Sequence, residues 1–115
     1  MSKTENKNIT ENESGTKFID THNLTEFSAT ETLHTPLLET AQLRTLLLNL
    51  NSDQSSPICK MSVPVLYYVI TGAGELVAGD EHYTLRAGSM VSVPAEITRI
   101  ISAATAMRVL GVQVI

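Results

Sequence analysis

The stretch that decides the fold is VLYYVITGAGELVAGDEHYTLRAGSMVSVPAE, residues 65–96 of the 115-residue chain. Short runs of apolar, β-branched and aromatic residues alternate in it with turn-type residues, a pattern typical of antiparallel strands. The first such run, Val63–Ile70, ends at the glycine-rich sequence TGAG. Glu75–Ala78 and His82–Leu85 then flank Gly79-Asp80, and this arrangement predicts a β-hairpin.

The same alternation continues toward the C-terminus. Gly88 makes a turn into a predicted strand at Met90–Val93, and Pro94 ends that strand because proline has no N–H to donate. Two more strands are predicted at Ile97–Ile101 and Met107–Ile115. Short strands that recur every eight to twelve residues or so, with Gly and Pro between them, predict an all-β barrel or sandwich.

The leucine-rich stretch Leu37–Leu50 is ambiguous by itself. Some of its apolar residues fit a helical stripe, while Leu46, Leu48 and Leu50 fit one face of a strand equally well. The all-β pattern that follows favours a strand. A helical domain led by this stretch is the alternative, and a circular dichroism spectrum dominated by β signal excludes it.

The N-terminal region has a different composition. Residues 1–16 consist mainly of Asn, Glu, Ser, Thr, Lys and Gly, which bury too little apolar area to offset the entropy lost on ordering. We expect a disordered polar tail there and short edge strands and loops over Lys17–Leu33. Residues 17–115 are predicted to form one domain.

Charge distribution argues against two classes of partner. The net charge is -4, and residues 1–39 carry three Lys against seven acidic residues, while residues 40–115 carry five basic and five acidic ones. Without a basic stripe we expect neither nucleic-acid nor membrane binding. The single cysteine, Cys59, cannot form an internal disulfide, and the polar N-terminus has no apolar core of a signal peptide, so we expect a cytoplasmic protein.

Residues 65–96 resemble the centre of a small single-domain cupin, an RmlC-like jelly roll, and the resemblance covers roughly residues 37–115. The first cupin motif runs Gly-x5-His-x-His-x3/4-Glu-x6-Gly. Gly72 takes its closing glycine, and Asp53 stands at its opening glycine. The resemblance implies a cupin-type double-stranded β-helix.

The second cupin motif also fits in its first half. Gly88, five intervening residues and Pro94 match Gly-x5-Pro, after which Glu96 replaces a glycine and Ala103 replaces the Asn. The resemblance therefore assigns Gly72, Gly88 and Pro94 to the fold, because turns between strands favour these residue types.

The metal-ligand positions of the two motifs are all changed. Where a cupin has three His and one Glu, this chain has Cys59, Met61, Val65 and Arg99. Valine cannot ligate a metal, and a guanidinium brings positive charge without a lone pair. We therefore expect a cupin-like protein with no metal cofactor.

These positions define the candidate ligand cavity. Cys59 and Met61 lie at i and i+2 and face the barrel interior in this register, as apolar fillers or, as a weaker alternative, as soft ligands for Cu(I). Arg99 in a partly desolvated cavity can bind the carboxylate or phosphate of a ligand, or a protein carboxylate such as Glu96 or Glu75. The full set of cavity candidates is Cys59, Met61, Val65, Tyr67 and Arg99.

Other aromatic and imidazole side chains carry less information. Tyr67 shares the face of Val65 and Tyr68 takes the opposite face, so one hydroxyl is expected in the cavity and the other between sheets or subunits. His22, His34 and His82 do not lie at metal-ligand spacing, and we expect each to be exposed or singly hydrogen-bonded.

The preferred hypothesis is a metal-free, non-enzymatic cupin-fold protein that acts as a small-molecule binding module or as a regulatory module, with a small organic acid or an apolar molecule as the expected ligand. We expect a homodimer, because an open sheet edge is best covered by a second subunit. One alternative is a metal-dependent isomerase- or dioxygenase-like cupin that uses Cys59 and Met61 with further ligands such as His34 or His82. Another is a protein-interaction module that acts through the acidic residues 1–39.

Overall fold

A computed structural model describes residues 9–115 of the protein, and the regular secondary structure within that range is almost entirely β-strand. One 3-10 turn, Thr21–Asn23, interrupts the strands. The strands are β1 (Ile9–Glu11), β2 (Lys17–Ile19), β3 (Leu33–Glu39), β4 (Leu43–Leu50), β5 (Val65–Thr71), β6 (Ala73–Ala78), β7 (Glu81–Arg86), β8 (Met90–Val93), β9 (Arg99–Ala103) and β10 (Met107–Val114). The all-β prediction is confirmed. No helix in the described range is long and apolar enough to cross a membrane.

Two antiparallel sheets form the body of the molecule. One has the strand order β3-β4-β10-β5-β8 and the other the order β7-β6-β9. A single hydrophobic core joins them, with Leu48, Val69 and Val109 from the larger sheet and Leu76 and Ile101 from the smaller one. Burying the inner faces of two sheets against each other is the main source of stability in this architecture.

Strand β5 illustrates how the sequence places side chains. Successive side chains of a strand point to opposite faces. Val65, Tyr67 and Val69 are therefore buried in the core, while Tyr68 points outward and is 38% exposed. The expectation that the two tyrosines take opposite faces agrees with this arrangement.

The leucine-rich stretch Leu37–Leu50 forms parts of two antiparallel strands, β3 and β4. Its strand interpretation is confirmed, but the stretch is interrupted by a turn. The Thr40 hydroxyl accepts hydrogen bonds from the backbone N–H groups of Gln42 and Leu43 at 3.2 and 3.1 Å, which closes the reversal. Threonine favours such turns because its side chain substitutes for a backbone acceptor.

The N-terminal region differs in part from the expected tail. Residues 1–8 lie outside the described range, whereas β1 and β2 pair as an antiparallel hairpin, so residues 9–16 are not a structureless tail. The Asn12 carboxamide oxygen accepts hydrogen bonds from the N–H groups of Ser14 and Thr16, both at 3.1 Å, which supports the tight turn. Local hydrogen bonds of this kind need no buried apolar area.

The segment after this hairpin lies over the outer face of the larger sheet. Asn49 donates hydrogen bonds to the carbonyls of Leu24 and Glu26 at 2.9 and 2.8 Å, and its cross-strand neighbour Arg108 donates to the Thr21 carbonyl. These hydrogen bonds are made to backbone carbonyls, so they fix the path of the segment without requiring particular side chains in it.

Four positions that are glycines in the cupin motifs share one backbone property. The φ angle is positive at Asp53 (69°), Gly72 (89°), Gly88 (94°) and Glu96 (67°). This is the region that glycine adopts without strain and other residues adopt at a cost. The motif register read from the sequence therefore agrees with the backbone at all four positions, including the two where glycine has been replaced.

Gly72 has a second reason to be glycine. A Cβ atom there would meet the Ala106 carbonyl oxygen and would lie 2.5 Å from the Met107 Cα. The turn from β5 to β6 passes too close to the start of β10 for any side chain.

The strained φ angle at Glu96 leads to a stability prediction. Replacing Glu96 with Gly should raise the free energy of unfolding by about 1 kcal/mol, because the relief of left-handed strain exceeds the extra entropy of the unfolded chain. Urea denaturation at neutral pH measures the change. The neighbouring Ala95→Gly is the control and should lose stability, since Ala95 has no positive φ. Equal losses in both variants would contradict the strain argument.

Candidate functional site

A cavity of about 180 Å³ opens between the two sheets, and the structure places Cys59, Met61, Val65, Tyr67 and Arg99 along its wall. These are the five cavity candidates from the sequence. Whether a ligand binds there stays a prediction, but the five side chains surround one space.

Strand register explains how residues distant in sequence meet in the cavity. Cys59 and Arg99 form an antiparallel backbone pair with hydrogen bonds of 3.1 and 2.8 Å, so their side chains leave the sheet on the same face. Val65 and Tyr67 approach from β5 of the opposite sheet. The cavity is therefore closed from both sheets by side chains that alternate along their strands.

Arg99 is the dominant polar group of the wall. The side chain is only 2% exposed, and its guanidinium donates three hydrogen bonds. Nε donates to the Ile97 carbonyl at 2.9 Å, Nη1 to the Tyr67 hydroxyl at 3.1 Å, and Nη2 to the Pro94 carbonyl at 3.3 Å. The guanidinium thus spans the turn between β8 and β9 and reaches across to the larger sheet.

The protein partners of Arg99 are not the carboxylates that the sequence offered as alternatives to a ligand. Within the described residues no carboxylate forms an ion pair with it, and neither Glu96 nor Glu75 is its partner. Glu96 is exposed. Glu75 accepts instead from His82, whose Nδ1 lies 2.8 Å from the carboxylate on the β6-β7 hairpin.

The hydrogen-bonding capacity of the Arg99–Tyr67 pair is only partly used. A guanidinium carries five N–H donors, and three of them are engaged. The Tyr67 hydroxyl accepts from Arg99 and has no acceptor for its own proton among the described residues. Two N–H groups and one O–H group therefore remain as donors beside the cavity.

Burial affects the ionisation of Tyr67. Removal from water raises the pKa of the Tyr67 hydroxyl above its ordinary value of 10, although the nearby cation of Arg99 acts in the opposite direction. The hydroxyl therefore stays protonated at neutral pH, so it is a donor and not a counter-ion for Arg99.

The rest of the cavity is apolar inside and more polar at its mouth. Leu48, Val65 and Ile101 are buried parts of the wall, whereas His34 and Cys59 are exposed. A concave apolar site with a few fixed polar groups is the usual form of a small-molecule pocket.

His34 is one of several lining residues outside the five cavity candidates. The sequence indicated an exposed or singly hydrogen-bonded side chain, and a further metal ligand only in the enzyme alternative; His34 is exposed and lines the mouth. His34 pairs with Leu48 across β3 and β4, and Leu48 faces the core. That cross-strand register, which places His34 on the inner face, is not visible in the local sequence. His22 lies elsewhere and contacts Asp20 at 3.1 Å.

The residues present do not fit the metal site of the family that the sequence resembles. Val65 has no donor atom, and the cation of Arg99 occupies a position where a ligand would supply a lone pair. Within residues 9–115 no group of three or more His, Cys, Asp or Glu side chains is arranged to hold a metal ion. The wall favours an anion over a cation.

Comparison with known proteins identifies the fold. No family model matches the sequence, and a search of curated proteins finds no match. Solved structures do match. An RmlC-like cupin protein from Desulfovibrio desulfuricans is 20% identical and has a TM-score of 0.72, with 77% of this chain and 87% of that chain covered. The protein TT1209 from Thermus thermophilus is 18% identical with a TM-score of 0.78, over 84% of this chain and 95% of that chain.

The chain therefore has the RmlC-like cupin fold predicted from its motifs. Salicylate 1,2-dioxygenase from Pseudoaminobacter salicylatoxidans has the same fold in part, with 18% identity and a TM-score of 0.70. The match covers 76% of this chain but 26% of the dioxygenase. At this level of identity the comparison concerns the fold, and the activity of the dioxygenase does not transfer to this chain.

The raised pKa of Tyr67 predicts a specific response to alkali. In the unfolded chain the tyrosine loses its proton near pH 10, before the buried hydroxyl does. The stability that the protein has with Tyr67 protonated is therefore kept below pH 10. It is lost progressively as the pH rises toward the higher pKa of the folded state. Urea denaturation between pH 8 and 11 or so should show a shallower decline for Tyr67→Phe than for the wild type.

The outward-facing Tyr68→Phe is the matched control, since it removes a hydroxyl from the adjacent residue on the other face of β5. It should decline with the wild-type slope. The same slope in all three proteins would show that burial of Tyr67 does not contribute to the loss of stability at alkaline pH.

Proposed function

We propose that this protein is a metal-independent binding module of the cupin fold, which holds a small organic molecule in the cavity between its sheets and performs no catalysis on it. The observation that carries the proposal is the Arg99–Tyr67 pair, a fixed polar group with unused donors in a largely apolar wall. Buried donors without partners are costly, and a ligand that accepts from them removes that cost.

A purely structural role for Arg99 accounts for only part of this arrangement. The carbonyls of Pro94 and Ile97 explain why a donor is useful at the β8-β9 turn. They do not explain the net charge, because a neutral amide can also donate to carbonyls without the cost of desolvating a cation. A bound molecule with acceptor atoms gives the remaining donors a function.

The metal-dependent alternative makes different demands. An isomerase- or dioxygenase-like cupin needs several ligands with lone pairs around one point. Here His34, Cys59 and Met61 are among the cavity-lining side chains that have lone pairs, and Arg99 supplies positive charge beside them. Repulsion between this charge and a cation supports the metal-independent proposal.

Metal analysis combined with a ligand screen tests the proposed function. Protein purified untagged and without chelator should contain no stoichiometric metal by elemental mass spectrometry. A small-molecule screen by thermal shift should give binders whose affinity is unchanged, within about two-fold, when EDTA is added. Binding that EDTA abolishes and that Fe, Mn, Cu or Zn restores would overturn the proposal.

We also propose that the protein is a cytoplasmic homodimer, with β8 at the subunit contact. Strand β8 is one edge of the larger sheet, and an uncovered edge invites pairing with another strand. On the outer face beside this edge, Met90 is 61% exposed and lies opposite Tyr68 across the strand pair. Exposed apolar neighbours at a sheet edge support contact with a second subunit.

Light scattering tests the proposed dimer. The wild type should have twice the chain mass at micromolar concentration, and Met90→Lys should lower that mass toward one chain, because it places a charge in the contact. Lys60→Met exchanges the same two residue types in the opposite direction at an exposed position outside β8. It is the control and should leave the measured mass unchanged. A wild type with the mass of one chain would contradict the proposal.

A further inference from the structure

We infer that the cavity binds a small monocarboxylate with an apolar body about the size of one six-membered ring, whose carboxylate is held by the guanidinium of Arg99 and the hydroxyl of Tyr67. The inference rests on the proposed function and adds the chemical class of the ligand. It follows from the charge of the site, the number of free donors, the size of the cavity and its apolar wall.

The charge of the site calls for an anion. Arg99 is almost completely buried, and its partners are two carbonyls and a neutral hydroxyl. Carbonyl dipoles solvate a cation but leave its net charge uncompensated. A singly charged anion neutralises it, whereas a doubly charged phosphate would leave a buried excess of negative charge.

The free donors match a carboxylate in number. One N–H on Nη1 and one on Nη2 remain after the three observed bonds, and the Tyr67 O–H is a third donor. A carboxylate has two oxygens that accept from the two arms of a guanidinium in parallel. The Tyr67 proton then satisfies a further lone pair of the same group.

The cavity sets the size and polarity of the remainder of the ligand. A volume of about 180 Å³ is slightly larger than an engineered apolar cavity of about 150 Å³ that binds benzene. Most of the lining is apolar and includes Leu46, Leu48, Val65 and Ile101, while the Ser56 hydroxyl already accepts from the Ile101 N–H at 3.0 Å. A single ring or a short branched chain fills it, and a sugar or nucleotide would leave polar groups without partners.

Gly111 contributes to the room available beside Tyr67. This residue of β10 lines the cavity, and its φ is not positive. A Cβ atom built on it would lie 3.7 Å from the Tyr67 Cε1 and 3.8 Å from the Leu46 carbonyl oxygen, ordinary van der Waals distances. Gly111→Ala is therefore compatible with the fold and narrows the cavity by one methyl group.

The first experiment compares a carboxylate with its neutral isostere. Isothermal titration of the full chain with benzoate and benzamide should give tighter binding of benzoate by about ten-fold or more, because charge-assisted hydrogen bonds exceed neutral ones. Tyr67→Phe should weaken the binding of benzoate by about five-fold, and Arg99→Gln should remove the preference for benzoate over benzamide. Tyr68→Phe is the matched control and should bind as the wild type does.

A second experiment tests the size of the site and does not depend on the folding of Arg99→Gln. Gly111→Ala should weaken the binding of 4-methylbenzoate more than the binding of propionate, since only the larger probe needs the space beside Tyr67. Equal weakening of both probes would show that Gly111 does not limit the cavity, and this part of the inference would be wrong.

The outcomes separate the inference from the proposed function. If benzamide or another neutral probe binds as tightly as benzoate in the wild type, the carboxylate inference is overturned while the binding function stands. If benzoate binds but neither Tyr67→Phe nor Arg99→Gln changes its affinity, the ligand lies elsewhere and the inference is likewise overturned. If no probe binds at about 10 mM and native mass spectrometry finds no retained molecule, both the inference and the proposed function fail.

Discussion

The buried guanidinium of Arg99 is the interaction on which the site depends. It begins β9 of the smaller sheet, donates to both carbonyls that bracket the β8-β9 turn, and reaches Tyr67 on β5 of the larger sheet. A planar group with donors on three sides is suited to this task, and lysine could not span the same partners. One side chain thus connects a turn, both sheets and the cavity wall.

Keeping a cation at this point has consequences for the surrounding structure. Desolvation of the charge is offset in part by the backbone carbonyls, and the turn that supplies them contains Glu96 with a left-handed backbone. Strain of this kind persists where the surrounding structure over-determines it, and it concentrates near functional sites. In this protein the strained turn, the buried cation and the cavity adjoin one another.

Local sequence patterns predicted a large part of the fold. The hairpin around Gly79-Asp80 and the strand Met90–Val93 were predicted with nearly correct bounds, because turn residues and apolar runs are short-range signals. The stretch Leu37–Leu50 was harder, since its leucines fit two periodicities and the turn at Thr40 carries no Gly or Pro. The hairpin of β1 and β2 was missed because its stability comes from local hydrogen bonds and not from apolar periodicity.

The sequence by itself determined the all-β class, the cupin motif register with its turn glycines Gly72 and Gly88, and five of the residues that line the cavity. These features depend on the alternation of side chains along a strand and on the spacing between motif residues. Both can be read directly from the order of residues in the sequence. Only the tertiary structure decided that Arg99 has backbone carbonyls and Tyr67 as partners instead of Glu96 or Glu75, and that His34 lies at the mouth. The partners of Arg99 depend on which strands become neighbours across the two sheets, and no local sequence pattern encodes that arrangement.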